Sequence, residues 1–144
     1  MAKPKVFATH QLFDEARQIL ETACDVEYWT YEERPPREEV LRRVKDKEGL
    51  VCLLTEKVND ELLRIALKLR IVANVAVGYD NIDVDTCTKR GVAATNTPGV
   101  LDETTADFAW TLMMAVARRL AEGEQLARSG NWKGWNLDQL VGAD

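Results

Sequence analysis

Ile71-Val72-Ala73-Asn74-Val75-Ala76, running directly into Val77-Gly78-Tyr79-Asp80-Asn81-Ile82-Asp83, decides how this chain is read. An apolar run of that length, broken by glycine and then by acid and amide residues, predicts a buried strand that ends in a loop. Working outward, similar short apolar runs over residues 5–8, 25–29, 49–53 and 92–95 predict four more strands. The stretches between them change to helical spacing. Strands alternating with helices are the signature of βαβ units and a parallel sheet.

The helical stretches have identifiable starts and faces. Phe13, Ala16, Ile19, Leu20 and Ala23 recur at spacings of three and four, predicting a core-facing stripe on a helix from about Leu12. Pro35-Pro36 signals a helix start, with Val40, Leu41 and Val44 on its buried side; Val58, Leu62, Leu63, Ile65, Ala66 and Leu69 repeat the pattern. Asp83 is placed to cap a short helix over residues 84–90, and Gly91 stands just past its end. Five strands with these crossovers predict an α/β fold, a flavodoxin-like doubly wound parallel sheet of order 2-1-3-4-5. After Thr97-Pro98-Gly99 turns the chain, Thr104-x-x-Asp107 predicts a capping box for a long helix over residues 105–120. Phe108, Trp110, Leu112, Met113, Met114 and Val116 surround its axis, so burial on more than one side is expected. Residues 123–144, with Gly130, Gly134, Trp132 and Trp135, read as an extended arm. The division expected is a sheet domain over residues 1–100 and a helix with its arm over 101–144.

Composition narrows the function classes. The 144 residues are 46% hydrophobic and 30% charged, as in soluble globular proteins, and the net charge of -5 offers no basic surface for nucleic acid. The apolar stretch at 108–117 is far shorter than the ~20 residues of a bilayer-spanning helix. Cys24, Cys52 and Cys87 make an odd count without metal-ligand spacing, and Met1-Ala2-Lys3-Pro4 precedes no signal-peptide core. A cytoplasmic location, with no membrane and no metal, is expected. Cys52 reads as a small buried hydrophobe, Cys24 and Cys87 as surface or helix residues, and Met113 and Met114 as packing residues.

In an open parallel sheet the ligand crevice lies beyond the carboxyl ends of the strands. Thr9-His10, Leu53-Leu54-Thr55, Val77-Gly78-Tyr79 and Asn96-Thr97-Pro98 converge there. Gly78, lacking Cβ, lets backbone N–H groups come close to an oxyanion and can adopt positive φ. Asp80, Asn81 and Asp83 read as turn and cap groups rather than as paired acid–base carboxylates. His10 invites a general-acid role as the chain's one histidine, but the sequence indicates no carboxylate partner for it.

The run from Val75 to Asp83, with Gly91-Val92-Ala93-Ala94-Thr95-Asn96-Thr97-Pro98-Gly99-Val100 and the apolar helix after it, resembles the NAD(P)-dependent D-2-hydroxyacid dehydrogenases. The similarity is nearest to their glyoxylate/hydroxypyruvate reductase branch. It extends through Gly49-Leu50-Val51-Cys52-Leu53-Leu54-Thr55-Glu56 and Asn131-Trp132-Lys133-Gly134-Trp135. The resemblance implies that the Val77 and Gly78 amides receive a substrate carboxylate, that Leu53 or Leu54 lines the pocket, and that Thr105 lies near the cofactor. It further implies a homodimer, with Trp135 crossing to the partner's pocket. The parent would reduce glyoxylate or hydroxypyruvate with NADH or NADPH. The family's glycine-rich dinucleotide loop and its catalytic arginine, glutamate and histidine would fall beyond residue 144. The chain by itself is therefore expected to hold no cofactor and to be inactive. The competing class is a stand-alone flavodoxin-like binding or signalling module. Against it, Thr9-His10-Gln11-Leu12-Phe13 has one threonine and no glycine for a phosphate loop, and Ala8-Thr9 and Leu53-Leu54 stand where a receiver domain needs acids.

Overall fold

The computed structural model describes residues 2–134, and these fall into two compact units that divide between Gly99 and Val100. The first unit is a five-stranded, all-parallel sheet of order β2-β1-β3-β4-β5, as the alternating pattern predicts. Its strands are β1 (Lys5–Ala8), β2 (Asp25–Tyr28), β3 (Gly49–Cys52), β4 (Ile71–Asn74) and β5 (Ala93–Thr95). Its helices are α1 (Asp14–Ala23), α2 (Arg37–Arg43), α3 (Asp60–Ile65) and α4 (Val84–Lys89). A single 3-10 turn, Val44–Asp46, continues α2.

Alternation along the strands divides the apolar residues between two faces. On one face Phe7, Leu50, Cys52 and Val72 pack with Val40 and Val44 from the α2 region, Leu62 and Leu63 of α3 and Cys87 of α4. Phe7, Leu50, Leu62 and Leu63 are fully buried, each stabilising the fold by on the order of 1.5–3 kcal/mol. On the other face Val6, Ala8 and Val51 meet Leu12, Leu20 and Cys24 from the α1 segment. Helices thus lie on both faces of the sheet, which is the doubly wound arrangement.

Three local expectations need correction. The α1 stripe is a core face only at Leu20: Phe13 is 87% and Ile19 74% exposed. Phe13 precedes the helix in extended backbone, and Leu20 is joined on the sheet by Leu12 and Cys24. Cys87, expected at the surface or in a helix, lies in α4, which turns it into the core, where burial raises its thiol pKa. The other two corrections, at the start of the long helix and in the stretch after it, belong to the second unit below. As expected, Asp83 caps α4, its Oδ1 accepting from Thr86 N at 2.9 Å, and Gly91 turns the chain out of the helix at φ 68°.

Arg43 ties α2 to the sheet. Its guanidinium lies 5.0 Å from the Trp29 ring centre and 5.7 Å from that of Phe7. It also donates to Glu27 Oε1 at 2.5 Å and to Glu39 Oε2 at 3.1 Å. Hydrogen bonds from Arg42 and then Arg43 hold the Glu39 carboxyl down to about 2. The Trp29 indole N–H donates to the Glu33 carbonyl at 2.6 Å, fixing the loop before α2.

The second unit contains α5 (Asp102–Ala117) and α6 (Leu120–Arg128). The capping box does not form: α5 starts at Asp102 after Leu101, with no side-chain cap, so Thr104 already lies in the first turn. Asp102 and Glu103 favour that earlier start, because negative charge is stabilised at a helix N-terminus. Arg119 adopts left-handed backbone at φ 51° and separates the two helices. The first part of the stretch expected as an arm is helical. Leu120, Ala121, Glu122, Gln125 and Leu126 are good helix formers, and Glu124–Arg128 is an i,i+4 ion pair; together these outweigh the ~1 kcal/mol cost of Gly123. Phe108, Trp110, Leu112, Met113, Met114 and Val116 are all exposed. Among the described residues no helix is long and apolar enough to cross a membrane.

Replacing Arg43 by alanine removes two cation–π contacts and two charge-assisted hydrogen bonds at once. We expect it to lower unfolding stability by about 1–3 kcal/mol in urea denaturation, whereas Arg64→Ala, on an exposed i,i+4 pair, should cost less than about 0.5 kcal/mol. Equal losses for the two variants would refute the anchoring role.

Candidate substrate-binding wall

Parallel pairing brings the carboxyl ends of β1, β3, β4 and β5 to one edge, where backbone bonds lock the loops together. Thr9 N donates to the Val51 carbonyl at 2.9 Å, Val75 N to Cys52 at 2.8 Å, and Thr97 N to Ala76 at 2.9 Å. A parallel bridge between Val58 and Ile82 joins the loop after β3 to the loop after β4.

Val77 and Gly78 lie on this edge with the backbone oriented in one sense. The Val77 carbonyl accepts from Asn96 Nδ2 at 2.7 Å, and the Gly78 carbonyl accepts from Asn74 Nδ2 at 2.9 Å. Both acceptors are thereby satisfied by side-chain amides. The N–H groups of Val77, Gly78 and Tyr79 donate to no other described residue. Buried or not, a backbone N–H without a partner is a donor available to a ligand. Val77, Gly78 and Tyr79 are exposed residues.

Gly78 does not use a left-handed conformation here, contrary to one reason for expecting a glycine. A Cβ built on it meets nothing within 4 Å, so nothing in the described chain excludes a side chain. What a side chain would occupy is the space in front of the free amides. Leu54 is exposed beside this region and Leu53 half-buried. Leu54, Thr55, Asp80 and Asn81 border a cavity of about 420 Å³. A larger cavity, about 790 Å³, lies between Pro35, Arg37, Thr55 and Glu61, and neither Val77 nor Gly78 borders it. The chemistry of the free amides, rather than cavity size, therefore identifies the candidate wall.

His10 is half-buried, with Nδ1 3.5 Å from Thr9 Oγ1, and burial lowers its pKa below 6.5. No carboxylate pairs with it among the described residues, so nothing sets it up as a proton donor near neutral pH. Cys52 is buried and its thiol pushed up to about 12, which makes it inert. No metal-holding cluster of His, Cys, Asp and Glu occurs among the described residues. Thr105 lies in the first two turns of α5, exposed, its N–H donating to the Leu101 carbonyl. Trp135 lies outside the described residues.

Asn96 lies in a segment the sequence places at this edge, whereas Asn74 is not singled out by sequence reasoning. An amide inside the otherwise apolar Val72-Ala73-Asn74-Val75 was the available signal for Asn74, because a buried polar side chain requires a partner. Asn81 was read as a turn residue; its side chain instead reaches back to the loop after β3.

The family model for the D-isomer specific 2-hydroxyacid dehydrogenase catalytic domain matches residues 6–130. Glyoxylate reductases of Thermococcus kodakarensis and Thermococcus litoralis are 47% and 48% identical over 99% and 97% of this chain. The chain spans 44% of the length of each. A crystal structure of a Thermus thermophilus protein aligns with a TM-score of 0.87 at 36% identity, over 97% of this chain and 45% of that one. An NADPH-dependent glyoxylate/hydroxypyruvate reductase from Sinorhizobium meliloti, in complex with NADP and malonate, aligns at 0.72 and 30% identity, over 91% of this chain and 40% of that one. With the parallel sheet and the match over residues 6–130, the chain belongs to the D-isomer specific 2-hydroxyacid dehydrogenase family, and it resembles the glyoxylate reductases of that family.

Proposed function

We propose that this chain supplies the substrate-side wall of an NAD(P)-dependent reductase acting on a small 2-oxo acid, glyoxylate or hydroxypyruvate. The observation that carries the reading is that the N–H groups of Val77, Gly78 and Tyr79 pair with no other described residue, while the carbonyls of Val77 and Gly78 are held by asparagine amides. Oriented backbone donors at the mouth of a sheet suit a carboxylate. Leu53 and Leu54 border the approach and limit water beside it, which strengthens such hydrogen bonds.

Reduction of the 2-oxo group further needs a cation to polarise the carbonyl and an acid to protonate the alkoxide. Lys57 borders the cavity beside Leu54, but no arginine and no carboxylate-backed histidine stands there among the described residues. They also do not fit a dinucleotide, since the 144 residues contain no Gly-x-Gly-x-x-Gly and the first turn of α5 presents Asp102 and Glu103 rather than free donors for a pyrophosphate. In this reading the nicotinamide, the arginine and the histidine–glutamate pair belong to the remainder of the reductase, with Thr105 bordering the cofactor. The sheet unit is then the substrate domain, and α5 with the segment after it forms the link to the cofactor domain and the dimer contact. Reduced, unbridged thiols at Cys52 and Cys87 suit the cytoplasm.

The exposed apolar ring on α5 supports a homodimer. Leaving Phe108, Trp110, Leu112, Met113 and Val116 in water forgoes on the order of 1.5–3 kcal/mol each, and an apolar patch of that extent seldom stays open on a monomer. Trp135 of one chain inserting at its partner's wall belongs to the same reading.

Three outcomes are expected. Millimolar glyoxylate should move the backbone amide NMR signals of Val77, Gly78 and Tyr79, and Gly78→Val should abolish that response without changing the melting temperature, because the site of its Cβ is open; a Gly78→Val chain that responds like the original would count against the wall. Calorimetric titration should detect no NADH or NADPH binding to this chain, and a micromolar Kd would contradict the assignment of the cofactor to another domain. Sedimentation at tens of micromolar should give twice 16.3 kDa. A 16.3 kDa species with Trp110 protected from quencher would instead favour α5 folding back on its own sheet.

A further inference from the structure

The carboxamides of Asn74 and Asn81 face one another. Asn74 Nδ2 donates to Asn81 Oδ1 at 3.2 Å, and Asn81 Nδ2 donates to Asn74 Oδ1 at 3.2 Å. Each amide also reaches outward: Asn74 Nδ2 to the Gly78 carbonyl at 2.9 Å, and Asn81 Nδ2 to the carbonyls of Glu56 at 2.9 Å and Leu53 at 3.3 Å. Flipping either amide would set oxygen against a carbonyl oxygen, so the outward contacts fix both orientations and the facing pair is complementary only in this sense. Asn74 is 2% exposed and sits beside Cys52, whose Sγ donates to its Oδ1 at 3.6 Å. An amide so placed in an apolar interior costs stability unless every donor is used, and both hydrogens of Asn74 are.

We infer that Asn74 and Asn81 are positioning residues for the substrate wall, a reciprocal amide pair that sets the loop carrying Leu53 against the loop carrying Gly78. The inference rests on the wall proposed above. Asn74 holds the Gly78 carbonyl inward, and peptide planarity then directs the next amide, that of Tyr79, the opposite way. Asn81 holds the Leu53 and Glu56 carbonyls, which fixes the distance from the apolar border to those amides. A pair serving only the core would have no need to span both loops; an apolar residue of similar volume would fill the same space.

The test compares Asn74→Leu, Asn81→Ala and the core variant Val40→Ala, each read by backbone amide NMR with and without glyoxylate. Val40 lies in α2 and packs in the core that also holds Val58 and Ile82, so its truncation lowers stability while leaving the hydrogen bonds of the Asn74–Asn81 pair in place. Both asparagine variants should shift the ligand-free signals of residues 53–56 and 77–79 together and weaken the glyoxylate response about tenfold, the equivalent of one lost hydrogen bond. Val40→Ala should leave that response intact at a comparable loss of melting temperature. An unchanged glyoxylate response in the asparagine variants overturns the positioning role while the wall stands. If the original chain does not respond, the wall fails instead, and the ligand-free signals still decide: a change confined to one loop overturns the coupling. Should Asn74→Leu not fold, the half-buried Asn81→Ala carries the same comparison.

Discussion

Capture of two backbone carbonyls after β4 by asparagine side chains is the interaction that organises the candidate site. The ladder ends at Asn74, yet Val77 and Gly78 come after it with no neighbouring strand to pair with. Asparagine amides from β4 and from the segment after β5 supply the donors. Holding these carbonyls on side-chain amides leaves the neighbouring N–H groups without a described partner, which is the feature the proposed wall rests on.

The rest of the sheet serves this arrangement. The face packed by α2, α3 and α4 is closed around Phe7, Leu50 and Val72, so β3 and β4 are held rigidly where their loops begin. The Val58–Ile82 bridge extends that order past the strands. The opposite face is more open, with only the α1 segment over Val6, Ala8 and Val51, and Ile71 and Val75 of the β4 segment exposed. Rigidity is concentrated where the loops of the wall start, on the side that needs a fixed geometry.

The second unit obeys a different logic. Its helices are continuous because local propensity and i,i+3 or i,i+4 ion pairs suffice, with Arg119 paired to Glu122 and Arg128 to Glu124. None of the described residues in its two helices is buried. A helix whose apolar residues encircle it, without a core of its own, gains most of its stability from whatever packs against it.

Sequence alone determined the strand order, the sheet class and the family, and it singled out Val77 and Gly78, because those readings depend on periodicity, on the spacing of Gly78 after an apolar run, and on segments long enough to be matched. It also fixed Asp83 as a cap, an interaction closed within three residues. It misjudged Phe13 and Ile19, since which side of a short amphipathic helix meets the sheet depends on the helix's angle, and that angle is set by neighbours far along the chain. The start of α5 at Asp102 rather than after Thr104 turned on the competition between a side-chain cap and the charges of the first turn. Asn74 and Asn81, seven residues apart, become partners only when β4 and its loop fold back on the loop after β3. Asn96 reaches Val77 only because β5 pairs with β4. Tertiary structure alone decided these contacts, because hydrogen bonds between side chains and distant carbonyls leave no period in the sequence; they exist only once the parallel ladder has brought the strand ends to one edge.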